Sequence, residues 1–190
     1  MALLLNAFIF LITLFFTVRF FHRDGVWSFK NGKPAFRFFT VLSNVLCALA
    51  ALCMCVAPAQ DWAWTLKYIG TAAVTVTMLT VLFFLGPSYG YAALLKGRDL
   101  FMHLITPLAA LVSFLAFERR GMTFGFALLG MIPAILYGSW YLYKIKYAPA
   151  DRRWDDFYGF NRGGHWPASF AAMMAGTLLI CVGLYYLQNL

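Results

Sequence analysis

Charged side chains are scarce in this chain, since Asp, Glu, Lys and Arg together make up 12% of its 190 residues. A soluble domain carries roughly 25% charged residues. Hydrophobic residues reach 63% and the mean hydropathy is +0.75, which excludes a globular domain with a hydrated surface. The composition predicts an all-α polytopic membrane protein, and its length suits a single domain over residues 1–190.

Cysteine and histidine are also few, with four and three copies. The cysteines lie in apolar segments and include no CxxC pair, so we expect buried free thiols and no disulfide framework. They are Cys47, Cys53, Cys55 and Cys181. His22 and His165 lie far apart in connections, and no residues have the spacing of a metal or haem site. We therefore expect neither a metal nor a cofactor.

The balance of charge is strongly basic, with seven acidic residues against 15 Lys and Arg and a net charge of +8. The basic residues occupy short connections, and they do not form an exposed face interleaved with aromatic residues. This arrangement argues against a nucleic-acid partner. Near a membrane, such charges set topology or contact anionic headgroups, so membrane lipids are the expected partners.

Long hydrophobic runs, by contrast, are abundant. Six are long enough to cross about 30 Å of hydrocarbon as helices of about 20 residues. Each has to be helical, because lipid offers no partner to unpaired backbone groups. The first run lacks a basic leader and a cleavage pattern, so we expect a span and not a signal peptide. The expected spans are approximately 2–21, 36–57, 63–85, 99–117, 123–143 and 167–188.

The basic residues divide unevenly between the two sides of such a bundle. Lys67, Arg119 and Arg120 fall on one side, and the other 12 of the 15 flank or occupy the first, third and fifth connections. We call the latter the basic side. The positive-inside rule predicts that it is cytoplasmic and that both termini lie across the cell membrane. The 12 are Arg19, Arg23, Lys30, Lys33, Arg37, Lys96, Arg98, Lys144, Lys146, Arg152, Arg153 and Arg162.

His103 is the one ionisable residue placed well inside an expected span, where a titratable side chain is costly. In the second span, Thr40, Ser43 and Asn44 follow one another at i, i+3 and i+4 and therefore share a helical face. At a rise of 1.5 Å per residue, Thr40 and His103 each lie about 6 Å inside the basic end of their spans.

Two further residues are expected near that depth, Thr80 from the third span and Tyr137 from the fifth. A hydroxyl, an imidazole, an amide and a phenol could therefore share one pocket. Hydroxyl and small residues on a helical face are also common contacts between membrane helices.

The chemistry that this set would allow is nucleophilic catalysis. A hydroxyl becomes a useful nucleophile when a base takes its proton, and His103 could serve as the base for Thr40 or Ser43. Asn44 could donate to an oxyanion. No carboxylate lies well inside a span, so a loop residue such as Asp155 or Asp156, or the Tyr137 hydroxyl, would have to orient the imidazole.

Two other roles for the histidine stay open on spacing alone. The first is a structural histidine that forms hydrogen bonds across helices, and the second is a ligand site or a proton path.

The order of three short segments carries a family resemblance. Arg37-Phe38-Phe39-Thr40 opens the second span, Met102-His103 precedes Pro107 in the fourth, and Asp156-Phe157-Tyr158-Gly159-Phe160 lies in the fifth connection. Together with six spans, this order resembles the family of androgen-induced and androgen-dependent six-span membrane proteins, over most of the chain. The chain departs from the family pattern after Tyr158, where a proline is expected, and in its long basic fifth connection.

The resemblance implies a threonine hydrolase that cleaves fatty acid esters of hydroxy fatty acids, with Thr40 as nucleophile and His103 as base. The implied partner is an acyl-lipid substrate. Arg37, Lys96 and Arg98 at headgroup level could hold a substrate carboxylate, or could serve topology and headgroup contact alone. The rival interpretation is a non-enzymatic membrane protein that binds a lipid or small molecule in an intramembrane pocket. No feature of the sequence points to an oligomeric state.

Overall fold

The computed structural model describes all 190 residues and contains six helices long and apolar enough to cross a membrane. The predicted all-α polytopic bundle is confirmed. The largest differences from the predicted bounds are at α3 and α5, which continue to residues 89 and 147 instead of 85 and 143. The six helices are α1 (Ala2–Arg19), α2 (Phe39–Val56), α3 (Asp61–Tyr89), α4 (Arg98–Phe117), α5 (Phe124–Tyr147) and α6 (Trp166–Asn189).

The first connection leads the chain into α2 through a β-hairpin, a short helix and a 3₁₀ turn. Strands His22–Arg23 and Val26–Trp27 pair antiparallel. Asp24 and Gly25 between them have φ of 53° and 79°, the positive values that a tight two-residue hairpin turn requires. A helix at Phe29–Gly32 and a 3₁₀ turn at Lys33–Arg37 follow.

Three spans widen into a π-helical turn that ends two residues before a proline. In α3 the turn covers Val81–Leu85 and precedes Pro87, in α4 it covers Phe101–Ile105 and precedes Pro107, and in α5 it covers Tyr143–Tyr147 and precedes Pro149. Proline has no N–H for the carbonyl four residues earlier, so the regular ladder is interrupted there. Turns of this kind shift the direction of nearby side chains and occur frequently at functional sites. His103 lies inside the second of them.

Small residues bring α2 and α3 close together along the centre of the bundle. Cys47, Ala51 and Val74 are fully buried and pack with Ile9 of α1 and Ala110 of α4. The face of α2 that carries Ser43, Asn44 and Cys47 is therefore turned into the bundle, as its spacing predicted.

Gly70 of α3 lies directly against the backbone of α2. A Cβ atom at this position would lie 2.8 Å from the Cys47 Cα, a backbone atom that cannot move without shifting α2. We expect Gly70→Ala to destabilise the fold by about 1–3 kcal/mol, the typical cost of overpacking, as measured by thermal unfolding in detergent micelles. Gly176→Ala is the matched control, because its Cβ would meet no atom within 4 Å. Equal unfolding temperatures for the two variants would contradict the close approach.

The fifth connection is held against the basic end of α5 by aromatic side chains. Tyr141, Ile145 and Phe160 form a buried cluster there, with Trp154 and Phe157 packed against it. This cluster fixes the turn of residues 156–160 beside the start of α2. It thereby places the side chain of Tyr158 at the candidate site.

Candidate functional site

Thr40 and His103 meet at the basic side of the bundle. Thr40 is the second residue of α2, and its Oγ1 lies 3.5 Å from the Nε2 of His103 in the π-helical turn of α4. Both side chains are half-buried. This is a loose hydrogen-bond distance, and catalytic contacts commonly tighten only when substrate binds. The structure therefore brings together the two residues that the sequence paired.

The second ring nitrogen of His103 fixes which nitrogen faces the threonine. Nδ1 lies 2.7 Å from the Leu94 carbonyl oxygen. A carbonyl can only accept, so Nδ1 carries the hydrogen, and in the neutral ring Nε2 presents its lone pair to the Thr40 hydroxyl. This is the tautomer that a general base for Thr40 requires.

The orienting group is thus a backbone carbonyl, and none of the side chains proposed from the sequence takes this role. Leu94 ends a short helix, Tyr91–Leu94, between α3 and α4. The chain enters this helix through Gly90, whose φ of 84° is strained for other residues. The Tyr91 hydroxyl donates to the Leu82 carbonyl at 2.8 Å and fastens the helix to the end of α3.

None of the three side chains suggested for orienting His103 forms a hydrogen bond to it. Asp156 accepts hydrogen bonds from the Tyr141 hydroxyl at 2.9 Å and from two backbone N–H groups of its own turn at 2.8 and 2.7 Å. Asp155 is exposed. The Tyr137 hydroxyl donates to the Arg37 carbonyl at 2.8 Å and holds the entry to α2.

Asn44 is committed to positioning the two helices. Its Nδ2 donates to the Thr40 carbonyl at 2.8 Å and to the Met102 carbonyl at 2.9 Å. Both amide hydrogens are used, and none is left for the oxyanion that the sequence analysis assigned to this residue. Because Met102 directly precedes His103, this amide sets the position of the imidazole relative to Thr40.

The remaining hydroxyls of the predicted set do not contact the imidazole. Ser43 is buried, lies 2.8 Å from the Thr77 hydroxyl and donates to the Thr40 carbonyl at 3.1 Å. Thr80 is half-buried and forms no hydrogen bond to Thr40 or His103. Thr40 is therefore the one nucleophile candidate in contact with His103.

Tyr158 of the fifth connection lies at the site, although the sequence analysis gave it no role. Its hydroxyl oxygen accepts the Phe39 N–H at 3.1 Å, and the Thr40 N–H and side chain lie near the same oxygen. Burial raises the pKa of the Tyr158 phenol, which keeps it protonated as a hydrogen-bond donor. The aromatic turn in the sequence was the signal, but nothing local indicated that it folds back onto α2.

The three basic residues expected at headgroup level do not converge on the dyad. The Arg37 guanidinium lies over the rings of Phe38 and Phe157, at 4.9 and 5.4 Å from their centroids. Arg98 pairs with Asp99 at 3.4 Å. Lys96 is exposed and forms no ion pair. No hydrogen bond joins any of these side chains to Thr40 or His103.

A second polar cluster lies at the opposite end of the bundle. Lys67 is fully buried, with Nζ 2.5 Å from the Asn6 Oδ1 and 3.6 Å from the Glu118 Oε2. Glu118 also accepts from Asn6 Nδ2 at 2.5 Å and from the Ser113 hydroxyl at 3.1 Å. From the sequence, His103 was the one ionisable residue expected well inside a span, and the burial of Lys67 corrects that expectation. In the structure α3 begins at Asp61, two residues before the predicted 63, and Lys67 is enclosed.

Two cavities lie away from the dyad. One, of about 320 Å³, adjoins Asn6 and Glu118 and is also lined by Arg119 and Arg120. The other, of about 190 Å³, lies between α5 and α6 beside Trp166. Thr40 and His103 line neither of them.

Comparison with protein-family models, with curated proteins and with solved structures finds no match for this chain. The fold and the site are therefore interpreted from their own geometry. The family resemblance of the sequence motifs stays a hypothesis, and the contacts around Thr40 and His103 carry the functional argument.

Proposed function

We propose that this integral-membrane protein is an ester hydrolase in which Thr40 is the nucleophile and His103 the general base. The supporting observation is the 3.5 Å contact between Thr40 Oγ1 and a His103 Nε2 whose ring partner, Nδ1, donates to the Leu94 carbonyl. Nucleophile, base and orienting group are the three parts that acyl transfer to a hydroxyl needs.

The reaction proceeds in two balanced stages. Thr40 Oγ1 bonds to the ester carbonyl carbon while its proton moves to His103 Nε2 and the carbonyl π pair moves to oxygen. When the carbonyl re-forms, the alcohol leaves with the proton from His103, and the acyl group remains as an ester on Thr40. Water then attacks that ester, His103 takes its proton, and collapse releases the free acid and returns the proton to Thr40.

The proposed substrate is an acyl lipid, specifically a fatty acid ester of a hydroxy fatty acid. The dyad is half-buried near the basic end of two membrane-spanning helices, where an ester within the lipid layer could reach it. Arg37, Lys96 and Arg98 would lie at headgroup level and attract the carboxylate of such a lipid. By the positive-inside rule this is the cytoplasmic leaflet.

Turnover and covalent labelling test this proposal together. The protein, purified into lipid nanodiscs, is expected to release hydroxy fatty acid from the ester and to react with a lipid-like fluorophosphonate. Mass spectrometry should find the adduct on Thr40, because only a hydroxyl activated by a base attacks such a probe. Thr40→Ala should lose both the adduct and turnover.

Thr65→Ala provides the matched control. The Thr65 hydroxyl donates to the Asp61 carbonyl of its own helix at 2.7 Å, so this variant should label and turn over like the parent. A parent chain that binds the ester without cleaving it, and that takes no label, would favour the non-enzymatic lipid-binding interpretation.

A further inference from the structure

We propose that the Tyr158 hydroxyl and the Thr40 backbone N–H together form the oxyanion hole of this site, an inference that rests on the proposed hydrolase function. The developing negative charge on the ester oxygen would accept both hydrogens. Tyr158, which lies 118 positions after Thr40 in the sequence, thus supplies the hydrogen bond to the oxyanion that Asn44 cannot supply.

The position of the phenol beside the nucleophile is the first observation. Its oxygen accepts the Phe39 N–H at 3.1 Å, and the backbone N–H and the side-chain hydroxyl of Thr40 face the same oxygen. An ester oxygen attached to a carbon under attack by Thr40 Oγ1 would come within reach of the same group. An oxyanion hole requires donors placed in this way before the charge forms.

The hydroxyl hydrogen of Tyr158 has no acceptor in the structure, because its oxygen accepts the Phe39 N–H and donates to no residue. The Thr40 N–H belongs to the first turn of α2, where backbone N–H groups have no partner within the helix, and it faces the Tyr158 oxygen without a backbone acceptor. The positive end of the α2 dipole adds to the attraction for an anion. The Tyr137 hydroxyl, by contrast, is occupied by the Arg37 carbonyl.

The turn that carries Tyr158 is rigidly held, as preorganisation demands. Asp156 accepts the backbone N–H groups of Phe160 and Asn161. The Tyr158 N–H donates to the Tyr141 hydroxyl at 3.1 Å, and that hydroxyl donates to Asp156. Phe157 packs on Phe38 with ring centroids 4.6 Å apart, next to the start of α2. Side chains of α5 and α2 thus fix the phenol in place before substrate arrives.

The proposed role adds no covalent step. When Thr40 attacks, the electron pair of the carbonyl moves to oxygen, and this oxygen accepts hydrogen bonds from Tyr158 and from the Thr40 N–H. The phenol proton stays on Tyr158, and the bonds weaken again when the carbonyl re-forms. Tyr158 therefore stabilises the transition state more than the bound ester, which is the condition for faster chemistry.

Tyr158→Phe removes this donor and keeps the aromatic ring. We expect kcat to fall by about 10²–10³-fold, the usual effect of losing one oxyanion donor. Inhibition by a lipid trifluoromethyl ketone, which forms a tetrahedral adduct with the nucleophile, should weaken by a comparable factor. Affinity for the matching ether, which has no carbonyl, should stay unchanged. Tyr147→Phe, at an exposed tyrosine beyond the cluster, is the control and should behave like the parent.

The outcomes separate this inference from the hydrolase proposal. A parent chain without turnover refutes the hydrolase, and the oxyanion hole with it. An active parent together with an unaltered Tyr158→Phe variant refutes the role of Tyr158 alone. Equal weakening of ketone and ether binding would show a purely structural role and also overturn the inference.

A second measurement serves if Tyr158→Phe does not fold. Incorporation of 3,5-difluorotyrosine at position 158 keeps the hydroxyl and makes it a stronger donor. Tighter ketone binding with the ether unchanged is then expected, and unchanged ketone binding contradicts the proposal.

Discussion

His103→Ala is expected to lower kcat for ester hydrolysis by about 10³-fold or more while the protein stays folded. His103 is the only base in contact with the Thr40 hydroxyl, at 3.5 Å. Without it, the hydroxyl proton has no acceptor at the moment of attack. The measurement is single-turnover and steady-state hydrolysis in nanodiscs, with thermal unfolding recorded for each variant.

Chemical rescue distinguishes a lost base from a lost structural contact. Alanine at position 103 leaves room for an imidazole molecule between Thr40 and the Leu94 carbonyl, and the half-buried site is open to it. Added imidazole should restore part of the activity of His103→Ala and none of the activity of Thr40→Ala. His165→Ala, outside the spans, is the histidine control and should keep full activity. Turnover by His103→Ala at the parent rate would eliminate the dyad.

Lys67→Met is expected to destabilise the folded protein by about 3–5 kcal/mol, the usual cost of removing one partner of a buried ion pair. The Lys67 and Glu118 side chains are 0% and 2% exposed. Loss of the ammonium leaves the Glu118 carboxylate buried with only the Asn6 amide and the Ser113 hydroxyl as donors. Reversible unfolding in detergent or a lipid bilayer provides the measurement.

A double variant tests whether the loss of stability comes from breaking the Lys67–Glu118 ion pair or from losing the lysine side chain itself. Lys67→Met combined with Glu118→Gln removes both charges, keeps a polar group for Asn6 and Ser113, and should recover a large part of the lost stability. Lys96→Met, at an exposed lysine, should be close to neutral. A double variant as unstable as Lys67→Met would show that charge pairing is not the cause. Activity per folded molecule should be unaffected, because the cluster lies at the far end of the bundle from Thr40.

The spans and their inward faces could be predicted because lipid imposes simple rules. Each crossing segment must be helical and about 20 residues long, and polar residues must face the bundle. The residue spacing alone therefore placed Ser43 and Asn44 on a buried face, and depth alone placed Thr40 level with His103. These are short-range properties that a helix transmits directly from sequence to space.

The hydrogen-bond partners of the buried polar side chains could not be predicted in the same way, and Asn44 shows the reason. An amide at that position could have faced a substrate or two carbonyls. The choice depended on how closely α4 approaches α2, which is set by the packing of Cys47 with Ala110 and by the π-helical turn before Pro107. The same limit applies to Lys67, whose burial depends on three helices meeting at one level.

By itself, the sequence determined an all-α bundle of six spans, the inward faces of those spans and the shared depth of Thr40 and His103, because helix period and hydrocarbon thickness act locally along the chain. Only the tertiary structure decided that the Leu94 carbonyl orients the imidazole, that Asn44 serves the backbone, and that the Tyr158 phenol lies at the start of α2. Those contacts join residues from different connections and spans. Their geometry depends on side-chain packing and hydrogen-bond competition across the whole bundle, which no single segment encodes.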